Sequence, residues 1–178
     1  MATASLSEVP DGASVFVDAN IFIYHFSGPT PLSPACSAFL ERVEHGALHG
    51  FTSTIVLIEV LHRLMILEAV GALQIAPRDV PRYLKEHPHQ AKALAAHQAA
   101  TQKIQQMGVQ LVIVGVEDIE RSHAIKREHG LLTNDALVLA VMERSGVTAL
   151  ASNDPDFQTV DTITPYLPMP PAGVPRPS

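Results

Sequence analysis

One cysteine is all this chain contains, so Cys36 cannot close an internal disulfide and the fold is expected to rest on its core in a reducing compartment. No apolar run reaches the roughly 20 residues of a membrane-spanning helix. The opening MATASLSEVPDGAS has neither the basic start nor the apolar centre of a secretory leader. The expectation is a cytoplasmic protein with no membrane partner. Cys and His at zinc spacing are missing, the nine His residues being scattered. No internal repeat is visible, and no Gly-rich turn follows the first strand, which excludes a dinucleotide-binding fingerprint. Positive charge is also short: 12 Lys and Arg face 18 Asp and Glu, for a formal net charge of −6. A protein that holds nucleic acid by bulk charge alone is thereby disfavoured.

What is present is enough for one domain. The chain has 178 residues, 47% apolar and 17% charged, a balance that suits a single globular core. Residues 1–13 read as a polar lead-in, 14–164 as the domain, and 165–178, with six prolines, as an irregular tail. Ser14 to Val17 reads as a strand and Asn20 to His25 as a short helix. Ser33-Pro34 opens a helix to about Gly46, with Ser at the cap and Pro at the first helical position. Gly50 to Ser53 reads as a strand, and Thr54 to Val70 as the most apolar helix, closed by Gly71. A polar helix is expected from Gln90 to Met107, and Val109 to Val114 reads as a central strand because it hardly alternates. Glu117 to His129 and Asn134 to Ser145 read as helices ended by Gly130 and Gly146. Val147 to Ala151 reads as a buried strand, and Thr162 to Thr164 as a last one. Strands alternating with helices in this order predict a parallel α/β sheet covered on both faces.

Against that frame, acids recur in comparable places. Asp18 follows the first strand, Glu59 sits in the apolar helix, Asp135 opens a helix, and Asp154 and Asp156 follow a strand. Ligands of open parallel sheets bind at such strand ends. Each acid also has a structural reading. Asp18 stands at a strand-to-helix turn, Glu59 has Arg63 one turn on, Asp135 suits a helix start, and Asp154-Pro155 suits a turn. If they converge, carboxylates so close need cations to stay ionised together. Oxygen-only donors favour Mg²⁺ or Mn²⁺, and the matching reaction is attack of water on a phosphodiester.

Three stretches carry a resemblance: VFVDANIFIYHF, TSTIVLIEVLHRL and TNDALVLAVMERSGVTALASNDPDF. In that order they resemble the successive motifs of PIN-domain nucleases, closest to VapC-type toxin endoribonucleases, over about residues 14–160. The resemblance implies a three-layer α/β/α sandwich with a central parallel sheet. It implies a catalytic quartet of Asp18, Glu59, Asp135 and Asp154, with Asp18, Asp135, Asp154 and Asp156 as ligands of Mg²⁺ or Mn²⁺. Asn20, Ser53 and Asn134 match supporting positions, although each could equally cap a helix. It further implies an RNA substrate, a small antitoxin partner and a homodimer. The antitoxin surface expected here is Ile21, Phe22, Tyr24 and Phe26 with the exposed edge of the Thr54–Val70 helix, unless those residues are core. A non-catalytic PIN scaffold that binds RNA or protein is the alternative, but a degenerate member is expected to lose an acid. A phosphatase of the haloacid-dehalogenase type is rejected because its second Asp would stand where this chain has Asn20. His25 and His62, near the acids in sequence, read as packing or solvent residues before a general base.

Residues 71–107 depart from the compact family pattern as a longer helical segment. They hold Arg78, Arg82, Lys85, Lys92 and Lys103 against Asp79 and Glu86, or five minus two, +3, leaving −9 elsewhere. Phosphate contacts are therefore expected from Arg63, Arg78, Arg82 and Lys85, unless the segment is only a solvated helical pair.

Overall fold

The computed structural model describes residues 4–171. The strands are β1 (Ala4–Ser5), β2 (Ser14–Val17), β3 (His49–Ser53), β4 (Gln110–Val112), β5 (Ala149–Ala151) and β6 (Thr164–Leu167). They form one all-parallel sheet in the order β1-β6-β5-β2-β3-β4. The centre of the sheet is β2, where Val15, Phe16 and Val17 are fully buried. A strand covered on both faces has no polar side to show, which is why its sequence is a continuous apolar run.

Helices cover both faces and complete a three-layer α/β/α sandwich. Helix α1 (Ala19–Phe26) packs on α2 (Ser33–Glu44) and on α3 (Thr54–Leu73). Helix α7 (Val116–His129) packs along α8 (Thr133–Ser145). Gly130 and Gly146 end these two helices at φ 73° and 66°, a left-handed turn that glycine adopts without strain. Between α3 and β4 lie α4 (Val80–Glu86), α5 (Pro88–Ala93) and α6 (Ala96–Gln106). Here Ala69, Val80, Leu84 and Leu94 form a small second core on the last turns of α3.

Several boundaries differ from the sequence reading. Helix α3 does not stop at Gly71 but runs to Leu73, because its last turns carry the second core. Gln74 closes it in the left-handed region at φ 54°, its amide nitrogen Nε2 donating to the Gly71 carbonyl at 2.7 Å. The single helix expected from Gln90 to Met107 is broken at Leu94 and Ala95 into α5 and α6. Strand β4 is an edge, not a centre, and Leu111 and Ile113 are exposed. Helix α2 is preceded by Leu32 rather than capped by Ser33; the Thr30 hydroxyl accepts from the Leu32 and Ser33 amides instead. The polar lead-in contributes β1 beside β6, and Leu6 and Val9 are buried in the main core. The last strand lies at Thr164–Leu167, so it starts where the expected strand ended and runs into the expected tail; residues 172–178 of that tail lie outside the described residues. No helix among the described residues is long and apolar enough to cross a membrane.

Candidate active site

The site grows from the register of two strands. Val17 of β2 lies opposite Ala151 of β5, and the Asp18 amide donates to the Ala151 carbonyl at 3.0 Å. Both chains leave the sheet there, so Asp18 and Ser152 emerge side by side. Asp18 begins α1, and its Oδ1 accepts from the Ala19 amide at 2.7 Å. Its Oδ2 accepts from the Asn20 side-chain amide and from the Ser152 hydroxyl, both at 2.6 Å. Asn20 also reaches across, its Oδ1 accepting from the Asn153 amide at 3.0 Å. The Asn153 side-chain amide donates to the Tyr24 hydroxyl at 3.2 Å. The Asp154 amide donates to Ser152 Oγ at 3.0 Å, and Asp154 Oδ1 accepts from the Asp156 amide at 2.9 Å. The β5 loop is thus tied to the start of α1 by side chains that hold the carboxylates in place.

Helices α3 and α8 bring two further acids to the same cleft. Asp18, Glu59, Asp135 and Asp154 all line a cavity of about 530 Å³, together with Asn20, Tyr24, Arg63 and Pro77. Glu59 Oε1 lies 3.7 Å from Arg63 Nη2, so the surface pair and the acid of the cleft are the same residue. Burial raises the Asp18 carboxyl to a pKa of about 6, against the pull of its bonds to Ser152 and Ala19. Burial also raises Asp135 to about 6, with the charges of Asp154, Asp18, Asp156 and Glu59 pushing the same way. These groups therefore sense one another electrostatically, which is the behaviour expected of carboxylates gathered without enough positive charge. The donor set is oxygen-rich and fits a hard divalent cation. Among the described residues no three His, Cys, Asp or Glu side chains stand close enough to form a finished metal cage. Holding an ion would require the cleft carboxylates to turn toward one another.

The other expected residues fall outside this cleft lining. Ser53 is fully buried and caps α3, its Oγ accepting from the Val56 amide at 3.4 Å. Asn134 is exposed in the first turn of α8, and neither it nor Thr133 caps that helix, which Leu132 precedes without a side-chain bond. Asp156 is exposed just beyond Asp154 and reaches the site through its charge on Asp135. Arg78 and Arg82 are exposed and flank Asp79 at 3.8 and 3.1 Å, while Lys85 is exposed on α4. Their neighbour Pro77 lines the cleft, which puts this segment at its rim. His25 is bonded to Ser37 and His62 is exposed, and neither lines the acidic cleft. Ile21 and Phe22, expected at a partner surface, are fully buried core; Tyr24 and Phe26 are half-buried. Along α3 the exposed apolar residues are Ile58, Leu61 and Leu67.

Ser152 and Asn153 were not singled out from the sequence, and Tyr24 was expected only at a partner surface, not in the acidic cleft. A Ser-Asn pair before Asp-Pro reads as an ordinary turn, and only the pairing of β2 with β5 reveals its partner. The signal available was positional: residues just beyond two strand ends that both carry an acid.

A PIN-domain family model matches residues 15–163. The chain belongs to the PIN-domain family. Solved structures share the fold. A toxin–antitoxin complex from Klebsiella pneumoniae is similar at TM-score 0.51 and 21% identity, over 84% of this chain and 94% of that one. A sarcin-ricin-loop-cleaving VapC toxin of Mycobacterium tuberculosis is similar at TM-score 0.54 and 18% identity, over 81% and 92%. A VapBC complex of Rickettsia felis, bound to a DNA fragment from its promoter, is similar at TM-score 0.52 and 14% identity, over 86% and 98%. At these identities the likeness is one of fold. Among curated proteins none matches the chain. In this PIN domain the three motif stretches supply the walls of one cleft, which explains why residues so far apart in sequence share an electrostatic environment.

Proposed function

We propose that this PIN domain is a metal-dependent endoribonuclease that cleaves RNA phosphodiester bonds, and the toxin of a toxin–antitoxin pair. The observation that carries the reading is the convergence of Asp18, Glu59, Asp135 and Asp154, from four separate elements, on one cleft. Asp18, Asp135, Asp154 and, from the rim, Asp156 would hold Mg²⁺ or Mn²⁺. When bound, such an ion makes water more acidic and offsets the negative charge that develops on the phosphate. The chain's own groups do the rest. Ser152 and Asn20 fix one Asp18 oxygen, and the Ala19 amide fixes the other. Glu59 completes the ligand set or orients the attacking water. Arg63 faces the charge of the phosphodiester. In hydrolysis the water oxygen attacks phosphorus as the bond to the leaving oxygen breaks, and the leaving oxygen takes up a proton. Among the described residues no His lines the cleft to act as base.

The competing reading is a PIN scaffold that binds RNA or protein without cutting. Binding alone gains nothing from two carboxyls held at a pKa of about 6 in a cleft lined with four acids. A small antitoxin would pack on apolar surface beside the cleft, where Ile58, Leu61 and Leu67 are exposed. A homodimer and a cytoplasmic location complete the reading. The test is expression alone and with the product of the neighbouring reading frame. Growth arrest relieved by co-expression, and by Asp18→Asn, is expected. Unharmed growth would remove the toxin reading while leaving the nuclease to be decided by cleavage in vitro.

A further inference from the structure

Beside the acidic cleft lies a second cavity of about 560 Å³, and the two share Ser27 and Leu67 in their linings. The second cavity therefore adjoins the first. Its walls come from the end of α1, the middle of α3 and α6. Glu68 on α3 holds α6 in place. Its Oε1 accepts from the Ala95 and Ala96 amides at 2.8 and 3.0 Å, and its Oε2 from the His97 amide and ring Nδ1 at 3.1 and 2.7 Å. With these bonds the Glu68 carboxyl is held down at a pKa of about 2 despite the cost of burial.

The remaining polar groups of this cavity are not so engaged. Lys103 has no carboxylate within ion-pair distance among the described residues. Its charge is felt by His25, whose pKa is lowered by burial first and by Lys103 next, against the opposing pull of Glu41 and Glu44. His25 Nδ1 is bonded to the Ser37 hydroxyl at 2.8 Å, and Nε2 has no partner among the described residues. Phe26 lies edge-on to the His25 ring, with centroids 4.5 Å apart.

We propose that this second cavity is a subsite for a nucleotide flanking the scissile bond, with Lys103 on its phosphate and His25 and Phe26 against its base. It rests on the ribonuclease reading above and names where the strand runs. Its volume falls in the range of small-molecule sites, about 300–1,000 Å³. Single-stranded RNA is recognised by this combination of aromatic surface, base-edge partners and cationic phosphate contacts. An apolar protein segment would instead cover His25 Nε2 without giving it a partner, which is unfavourable, and would leave the exposed Lys103 without a counter-charge. A cavity that adjoins the acidic cleft suits a single strand that passes the reacting phosphate and extends by one nucleotide.

Binding is measured by fluorescence anisotropy with a labelled, mixed-sequence 12-nucleotide single-stranded RNA, at several salt concentrations. Every protein carries Asp135→Asn so that the probe stays intact. Adding Lys103→Gln weakens binding about three- to tenfold and flattens the salt slope by roughly 0.7, one contact on a single strand. Adding Ala99→Trp, which puts bulk into the cavity from an exposed position on α6, weakens binding without changing the slope. Thermal unfolding of each variant checks that the fold is kept. If both variants bind like their parent while the wild-type chain still cleaves RNA, the subsite is overturned and the cavity is left to a protein segment. If the parent binds no RNA and the wild type cuts none, the subsite falls together with the reading beneath it.

Discussion

The Ser152 hydroxyl donates to Asp18 Oδ2 at 2.6 Å, although 134 residues separate the two. The bond follows from the parallel pairing of β2 and β5, whose ends at Val17 and Ala151 are in register. Ser152 is itself almost fully buried and also accepts from the Asp154 amide. One hydroxyl thus links two acids of the cleft.

Replacing Ser152 with Ala should destabilise the fold by about 1–3 kcal/mol, since it leaves buried partners unsatisfied. The lost bond is one that lowers the Asp18 pKa, so the carboxyl should move above its present value of about 6. In urea unfolding the midpoint falls, and in the pH–rate profile of RNA cleavage the acidic limb moves to higher pH. A variant that keeps both values would show that Ser152 does not position Asp18.

Asp18 and Asp135 retain protons up to about pH 6 in the folded chain, against the ordinary aspartate value of 3.8. Between those values the folded chain binds more protons than the unfolded one, so without divalent ions stability falls as pH rises from about 4 to 6. Asp135→Asn should therefore raise stability at pH 8 by about 1–2 kcal/mol, a figure reduced for solvent screening at this partly open site. Below pH 4 the variant and the wild type should unfold alike. Equal stability at pH 8 would mean that Asp135 is not under electrostatic pressure from its neighbours.

Three of the acids were legible because they stand at local breaks, Asp18 after an apolar strand, Asp135 at a helix start and Asp154 before a proline, and Glu59 because it is a carboxylate inside the most apolar helix. The alternation of strands and helices was likewise enough for the sandwich. What local pattern could not convey was pairing. Val109 to Val114 is apolar enough for a central strand, yet β4 is an edge that leaves Ile113 73% exposed. Gly71 looked like a helix end, but the second core beneath Ala69 carries α3 past it. Ala4 to Val9 looked polar, and only the neighbouring β6 explains why Leu6 and Val9 are buried. Ser152 belongs to the same class, since its meaning depends on a strand partner far away in the chain.

Neutralising Arg78, Arg82 and Lys85 together should weaken RNA binding across sequences and flatten its salt dependence by roughly 0.7 per lost contact. All three are exposed, so stability should barely change. Asp79 lies between Arg78 and Arg82 and partly offsets them, which makes a total change below three full contacts the expected result. A salt slope identical to that of the wild type would make this rim scaffold rather than a phosphate contact.

The proposed function requires Asp18, Glu59, Asp135 and Asp154 to act as one ion-holding, RNA-cutting site. Its most direct test is cleavage of a structured RNA by the purified chain after treatment with EDTA, with Mn²⁺ then added back in steps. Cleavage should vanish with EDTA and return with Mn²⁺. It should remain absent at every Mn²⁺ concentration in the Asp18→Asn, Asp135→Asn double variant, even though that variant stays folded. Cleavage undiminished by EDTA, or equal in the double variant, would contradict that function.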